Sequence, residues 1–188
     1  MTSGRRIGLP LHNPMRAALP AVREVSPMAQ KIIPNLWFDT QSEQAAAFYV
    51  GIFKNSRIVS TTHYTDVGPG APGTVMTVEF ELDGERFVAI NGGPQFTFSE
   101  AVSFQITCAD QAEVDYFWER LTDGGEESQC GWLKDRYGLS WQVVPEGMEA
   151  ALDQADPARA ARAMQAMLGM RKIDLAELQR AADDVAAG

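Results

Sequence analysis

Cysteine and histidine are scarce in this chain of 188 residues, which has two of each: Cys108 and Cys130, His12 and His63. Two cysteines cannot build the disulfide framework of a small secreted scaffold, and their scarcity fits a reducing compartment, so a cytoplasmic location is expected. Two histidines leave little material for a zinc or iron site, which needs about three or four well-placed His, Cys or carboxylate ligands. Basic residues are outnumbered, 16 Lys and Arg against 25 Asp and Glu, for a formal charge of −9. Phosphate-backbone binding depends on clustered Lys and Arg, so nucleic acid is not an expected partner. No stretch approaches the roughly 20 uninterrupted apolar residues of a membrane span, and no membrane partner is expected. What is present is ordinary globular composition, 45% hydrophobic and 22% charged, in a chain long enough to bury a core.

The first 27 residues differ from the rest. They hold Pro10, Pro14, Pro20 and Pro27, and four arginines against Glu24 give them a net charge of +3, leaving −12 on the remainder of the total of −9. Arg5-Arg6 is not followed by the apolar core of about 7–15 residues that an export signal requires. Residues 1–27 read as a flexible tail, with Met28 as the expected natural start. Residues 28–148 read as the folded domain and 149–188 as a helical extension.

From Lys31 onward the pattern is strongly structured. Residues Ile32–Phe38 read as a strand, and Thr40-Gln41-Ser42-Glu43 fits a capping box opening a helix to about Phe53. Ala45, Phe48, Tyr49 and Ile52 form its apolar face. Arg57–Thr65 has mixed strand character. In Thr74–Leu82 the residues Met76, Val78, Phe80 and Leu82 alternate with Thr77, Glu79 and Glu81, and Asp83-Gly84 turns the chain into a returning strand, Glu85–Asn91. The order then repeats. Ala101–Cys108 is a strand, Asp110 and Glu113 cap a helix with Val114, Phe117 and Leu121 inward, and Gly124-Gly125 ends it. A short strand around Glu126–Gln129 and a hairpin of Gly131–Lys134 and Leu139–Val144 complete the second set. Shifted by 69 positions, Phe48-Tyr49 falls on Phe117-Trp118 and the strand at Pro34–Phe38 on Ser103–Thr107, so an internal duplication is expected. Asp156-Pro157 then opens a helix over Ala158–Met170, and Asp174–Ala187 forms another with Leu175, Leu178, Ala182 and Val185 as its stripe. This helical hairpin is expected either to cap the core or to contact a partner subunit.

The residues Phe48-Tyr49, Asn91-Gly92-Gly93, Gly131-Trp132-Leu133-Lys134-Asp135, Tyr137-Gly138 and Trp141-Gln142-Val143-Val144-Pro145 resemble the PhnB-like group of the glyoxalase/bleomycin-resistance, or vicinal-oxygen-chelate, superfamily. The resemblance covers roughly Lys31 to Pro145, and Met164–Lys172 is similar to the group's C-terminal region. It implies an α+β fold of two tandem βαβββ modules around a cavity, here with a C-terminal helical hairpin, and commonly a homodimer. Some members carry the label 3-demethylubiquinone-9 3-methyltransferase. Metal-binding relatives such as glyoxalase I place four ligands on facing strands, and those positions land near Pro34, Asn91, Ser103 and Gln142. Proline offers no donor, Ser and Asn are poor ligands for a divalent transition metal, and only Gln142 matches the usual pattern. No metal and no cofactor are expected.

Alternation in Ser103–Cys108 separates polar Ser103, Gln105 and Thr107 from apolar Phe104, Ile106 and Cys108. In the last strand Ser140, Gln142 and Val144 share a face. The resemblance puts Ser103 and Gln142 on the cavity side, with Leu36 and Phe38 expected to supply apolar contact there. The alternative for this face is plain solvent exposure. Leu36, Phe38, Asn91, Ser103, Gln105 and Gln142 are therefore the candidate ligand residues for a small organic molecule. Gly68-Pro69-Gly70-Ala71-Pro72-Gly73 matches G-x-G-x-x-G literally, but it precedes a strand rather than a helix and reads as an inter-strand loop. No other glycine-rich junction suits S-adenosylmethionine. His63 is the weak candidate for a catalytic base, against an exposed or hydrogen-bonded strand histidine. The reading that asks least of these residues is a metal-free binding protein. Its rivals are a cofactor-independent enzyme and the methyltransferase of the family label.

Overall fold

A computed structural model of the chain describes residues 30–184. The tail expected over residues 1–27 and the last member of the C-terminal stripe, Val185, lie outside the described residues. The first module runs β1 (Asn35–Phe38), α1 (Ser42–Ile52), β2 (Arg57–His63), β3 (Val75–Leu82) and β4 (Glu85–Asn91). The second runs β5 (Ser103–Cys108), α2 (Gln111–Thr122), β6 (Glu126–Glu127), β7 (Trp132–Lys134) and β8 (Ser140–Pro145). The sheet orders are β1-β4-β3-β2 and β5-β8-β7-β6, and in each the module's first strand pairs in parallel with its last. Two sheets with one shared topology are what an internal duplication produces.

The local signals act largely as their chemistry requires. Residues Ala45, Tyr49 and Ile52 are buried along α1, as Val114, Phe117 and Leu121 are along α2. The Asp110 side chain accepts from the Glu113 amide at 2.9 Å, and Glu113 in turn accepts from the Ala109 amide at 2.8 Å. Asp83 and Gly84 both have positive φ, +48° and +86°, which suits a two-residue hairpin following the twist of β3 and β4. The mixed character of β2 corresponds to register shifts against β3 at Ile58/Ser60 and Thr62/His63. One expectation fails. Thr40-Gln41-Ser42-Glu43 forms no capping box, because the N-cap is Gln41 and its side chain makes no cap bond. Instead Oδ1 of Asn91, at the end of β4, accepts from the Ser42 amide at 2.8 Å. A distant side chain meets the need that the local motif offered to fill.

Each sheet buries its core-side face, and β8 is largely buried on both. Leu36, Phe38, Val78, Phe80 and Ala89 from the first join Ile106, Leu133, Trp141 and Val143 from the second in a single apolar cluster with the inner faces of α1 and α2. Tyr49 of α1 reaches both sheets, with its ring 6.2 Å from Phe80 and 5.7 Å from Trp141. Fully burying an apolar side chain of this size is worth about 1.5–3 kcal/mol, so the modules stabilise each other.

Beyond β8 the chain forms α3 (Met148–Ala151), which the sequence did not signal, then α4 (Pro157–Gly169) and α5 (Leu175–Asp183). Asp156 and Asp174 cap the last two helices, accepting from the Arg159 and Glu177 amides. Ala151, Ala163, Ile173, Leu178 and Ala182 make a small second core. It is tied to the second module of the same chain. Gln111 on α2 donates to the Ile173 carbonyl and accepts from the Leu175 amide, both at 3.0 Å, and the Cys130 amide donates to the Met170 carbonyl at 2.8 Å. Among the described residues, no helix is long and apolar enough to cross a membrane.

Candidate functional site

The sheet faces turned away from the shared core carry the polar side chains. On the second sheet, β5 and β8 run in parallel register, with Ser103 opposite Ser140 and Gln105 opposite Gln142. Trp132 and Lys134 of β7 join the same face through their pairing with Gln142 and Ser140. Nε2 of Gln142 donates to Oγ of Ser103 at 2.9 Å. Gln105 is exposed beside them, while Ser103 and Gln142 are half-buried. The structure thus brings together three of the six candidate ligand residues. Ser140 is also buried on this face, and its hydroxyl has no hydrogen-bond partner. On the first sheet the corresponding face carries ion pairs, Arg57 with Glu81 and Arg86 with Glu79, and a 2.6 Å hydrogen bond between Thr62 and Thr77.

Leu36 and Phe38 do not join this group. They were expected to share the ligand face, but they are 5% and 4% exposed in the common core, and the outward residues of β1 are Asn35 and Trp37. Helix α1 and the second module claim the Leu36/Phe38 face, because that face meets Val78, Phe80 and Ala89 at the same level of the sheet. Asn91 is placed differently too. While Oδ1 holds the start of α1, its Nδ2 donates to the Val75 carbonyl at 3.0 Å, so both ends of the amide serve the backbone. Asn91→Ala is expected to cost about 1 kcal/mol, read as a lower urea midpoint with an unchanged slope. An unchanged midpoint would remove the capping role.

His63 sits exposed at the end of β2, opposite Val75. The G-x-G-x-x-G segment joins β2 to β3 and folds over Tyr64, with Gly70 so close that a Cβ there would lie 2.2 Å from the ring. The Tyr64 hydroxyl donates to the Asn91 carbonyl, and the Tyr64 amide donates to the Thr74 carbonyl at 2.9 Å. It is a closed loop, with no helix start to hold a phosphate. Cys108 is buried and its thiol is pushed up to about 12, chiefly by desolvation and then by Glu113 and Asp110. It behaves as a core residue.

One charged group that the sequence does not single out is Asp135, between the two strands of the second hairpin. It is 2% exposed and lies where the β7–β8 turn meets α1. Its Oδ2 accepts from the Tyr49 hydroxyl at 2.8 Å and from the Trp141 indole at 2.9 Å, and its Oδ1 accepts from the Tyr137 and Leu139 amides. Burial pushes its carboxyl above the ordinary range, against these four bonds, and holds the Tyr49 hydroxyl well above its own. Only the spacing of Asp135 two residues before Tyr137 and six before Trp141 hinted at this arrangement.

The donor set does not fit a divalent metal. Pro34 has no donor atom, the Asn91 amide is engaged with backbone, and Ser103 and Gln142 bond to each other. Among the described residues, no group of three or more His, Cys, Asp and Glu side chains could hold a metal ion. Nor does the glycine-rich loop fit S-adenosylmethionine, since its chain closes on Tyr64.

Paired βαβββ modules, each with a parallel outer pair of strands, define the vicinal-oxygen-chelate fold. The sequence profile of the 3-demethylubiquinone-9 3-methyltransferase family matches residues 30–144, and the chain belongs to that family. A PhnB protein from Bacillus cereus described under the same activity is 36% identical, over 62% of this chain and 99% of its own, with a TM-score of 0.57. Protein PA1353 from Pseudomonas aeruginosa is 18% identical over 63% of this chain and 98% of its own, with a TM-score of 0.53, a likeness of fold. The fosfomycin resistance protein FosX from Listeria monocytogenes is 14% identical over 65% of this chain and 97% of its own, with a TM-score of 0.45. No curated protein matches the chain.

Proposed function

We propose that this PhnB-like protein is a metal-free binder of a small organic molecule, that it acts as a homodimer, and that the ligand lies on the outward face of the second sheet. The observation that carries the reading is the neutral pair of Ser103 and Gln142, joined at 2.9 Å with Gln105 beside it. Amides and hydroxyls recognise a polar organic group by hydrogen bonding and leave no anionic donor for a cation. The dimer is supported by the half-buried outward residues Arg86, Val88 and Ile90 of β4, Trp132 of β7 and Gln142 of β8. A second copy laid over them would bury Val88, Ile90 and Trp132 and enclose the polar groups. The two free thiols, Cys108 and Cys130, suit a cytoplasmic setting.

Native mass spectrometry of the purified protein tests all three parts together. The expected result is a dimer that retains a small molecule after exhaustive chelation. Gln142→Leu should then lose retention about tenfold or more while keeping the dimer, because a buried polar ligand group would face hydrocarbon. Stoichiometric zinc, iron or manganese that depends on Gln142 would overturn the metal-free reading, and a monomer that keeps its ligand would overturn the dimer.

A further inference from the structure

The two modules meet along a cleft of about 370 Å³ that runs from core-side rings past β5, where Gln105 and Thr107 also line it. Five aromatic rings line it, Phe53, Phe87, Phe104, Phe117 and Trp141, contributed by both modules. They form a chain of contacts: Phe53 to Phe117 at 5.1 Å, Phe53 to Trp141 at 5.5 Å, Trp141 to Phe104 at 5.7 Å and Phe104 to Phe87 at 5.4 Å. Every charged residue that lines the cleft is acidic: Asp83 and Glu85 from the β3–β4 hairpin and Glu113 from α2. The strand beside it, β5, stands at the end of its sheet, so one of its backbone edges has no strand partner.

These features favour one ligand chemistry. Ring faces carry negative potential and attract a cation most strongly where water is displaced. Carboxylates at the rim add attraction and repel anions, and a chain of net charge −9 concentrates cations around it. Free strand carbonyls accept hydrogen bonds from a protonated amine. The volume falls within the range of small-molecule sites, roughly 300–1,000 Å³. We infer that this seam is a second binding site, selective for a hydrophobic organic cation such as an aralkyl amine or quaternary ammonium ion. It shares Gln105 and Thr107 of β5 with the proposed ligand face.

Calorimetry with the full-length protein and benzyltrimethylammonium tests the inference, with neopentylbenzene as the neutral isostere and benzenesulfonate as the anion. The cation is expected to bind at least tenfold more tightly than the isostere, and the sulfonate not at all. The Glu85→Gln/Glu113→Gln variant should weaken cation binding about tenfold and leave the isostere unchanged. Glutamine keeps an oxygen for the Ala109 amide, so α2 stays capped. Raising the salt should weaken the cation alone. Gln142→Leu should leave cation binding unchanged, which separates this site from the proposed ligand face. Equal affinity for cation and isostere, or indifference to the double variant, would overturn the inference. A change of oligomeric state in Phe104→Ala, with the cation still bound, would also do so, by marking the seam as a protein contact.

Discussion

Asp135→Ala is expected to lower the unfolding free energy by about 4 kcal/mol. The carboxylate terminates four hydrogen bonds from buried or half-buried donors on α1, on β8 and in the β7–β8 turn. Alanine would strand all four without water to replace the acceptor, and each orphaned donor costs about 1–3 kcal/mol before the structure relaxes. Tyr49→Phe should cost less, about 1–2 kcal/mol, since Asp135 keeps three donors and nothing is left unpaired. Urea denaturation followed by tryptophan fluorescence measures both, and a loss for Asp135→Ala below 1 kcal/mol would remove the carboxylate as the tie between the modules.

The pH dependence has a definite sign. Burial raises the folded pKa of Asp135 above the ordinary 3.8, so the folded state holds this proton more tightly than the unfolded chain does. Its contribution is therefore fully present below pH 3.8 and is lost as the pH rises through the folded value. Against the non-titrating Asp135→Asn variant, the relative stability of the natural protein should fall across that window and level off above it. A difference that grows with pH would show that the hydrogen bonds outweigh desolvation.

Gly125→Ala is the second large effect, with an expected loss of about 3 kcal/mol. A Cβ there would lie 2.2 Å from the Lys134 carbonyl oxygen and 2.9 Å from two backbone atoms of Asp135. Backbone cannot swing aside as a side chain can, so either the end of α2 or the strand leading to Asp135 must move. That displacement would carry Asp135 away from Tyr49 and Trp141, so the two costs are coupled rather than additive. Gly51, exposed in the last turn of α1, provides the contrast. Nothing lies within 4 Å of a Cβ there, and Gly51→Ala should stabilise the protein by about 0.5–1 kcal/mol. Thermal denaturation of the two variants should move in opposite directions; a Gly125→Ala protein as stable as its parent would sink the close-approach argument.

Both modules and their order were legible in the sequence, because strand alternation, helical spacing and caps are properties of neighbours in the chain. Val78, Phe80 and Leu82 alternate with polar residues, so only one face of β3 can enter a core. Asp110, Asp156 and Asp174 satisfy amides three residues away, within reach of a local rule. Alternation put Ser103 and Gln105 on one face of β5 and Gln142 on one face of β8, but the family resemblance was what set those two faces together. Tertiary structure alone decided the rest. In β1 the run Leu36-Trp37-Phe38 is apolar throughout, so alternation could not say which face meets the helix, and packing against α1 chose Leu36 and Phe38. Asn91 could not be seen as the cap of α1, nor Asp135 as the acceptor for Tyr49, because those partners lie 49 and 86 residues apart in the chain. The aromatic seam exists only once the modules meet. Hydrogen bonding within a few residues follows from local order, whereas desolvating a carboxylate or choosing a buried face depends on the whole chain closing around it.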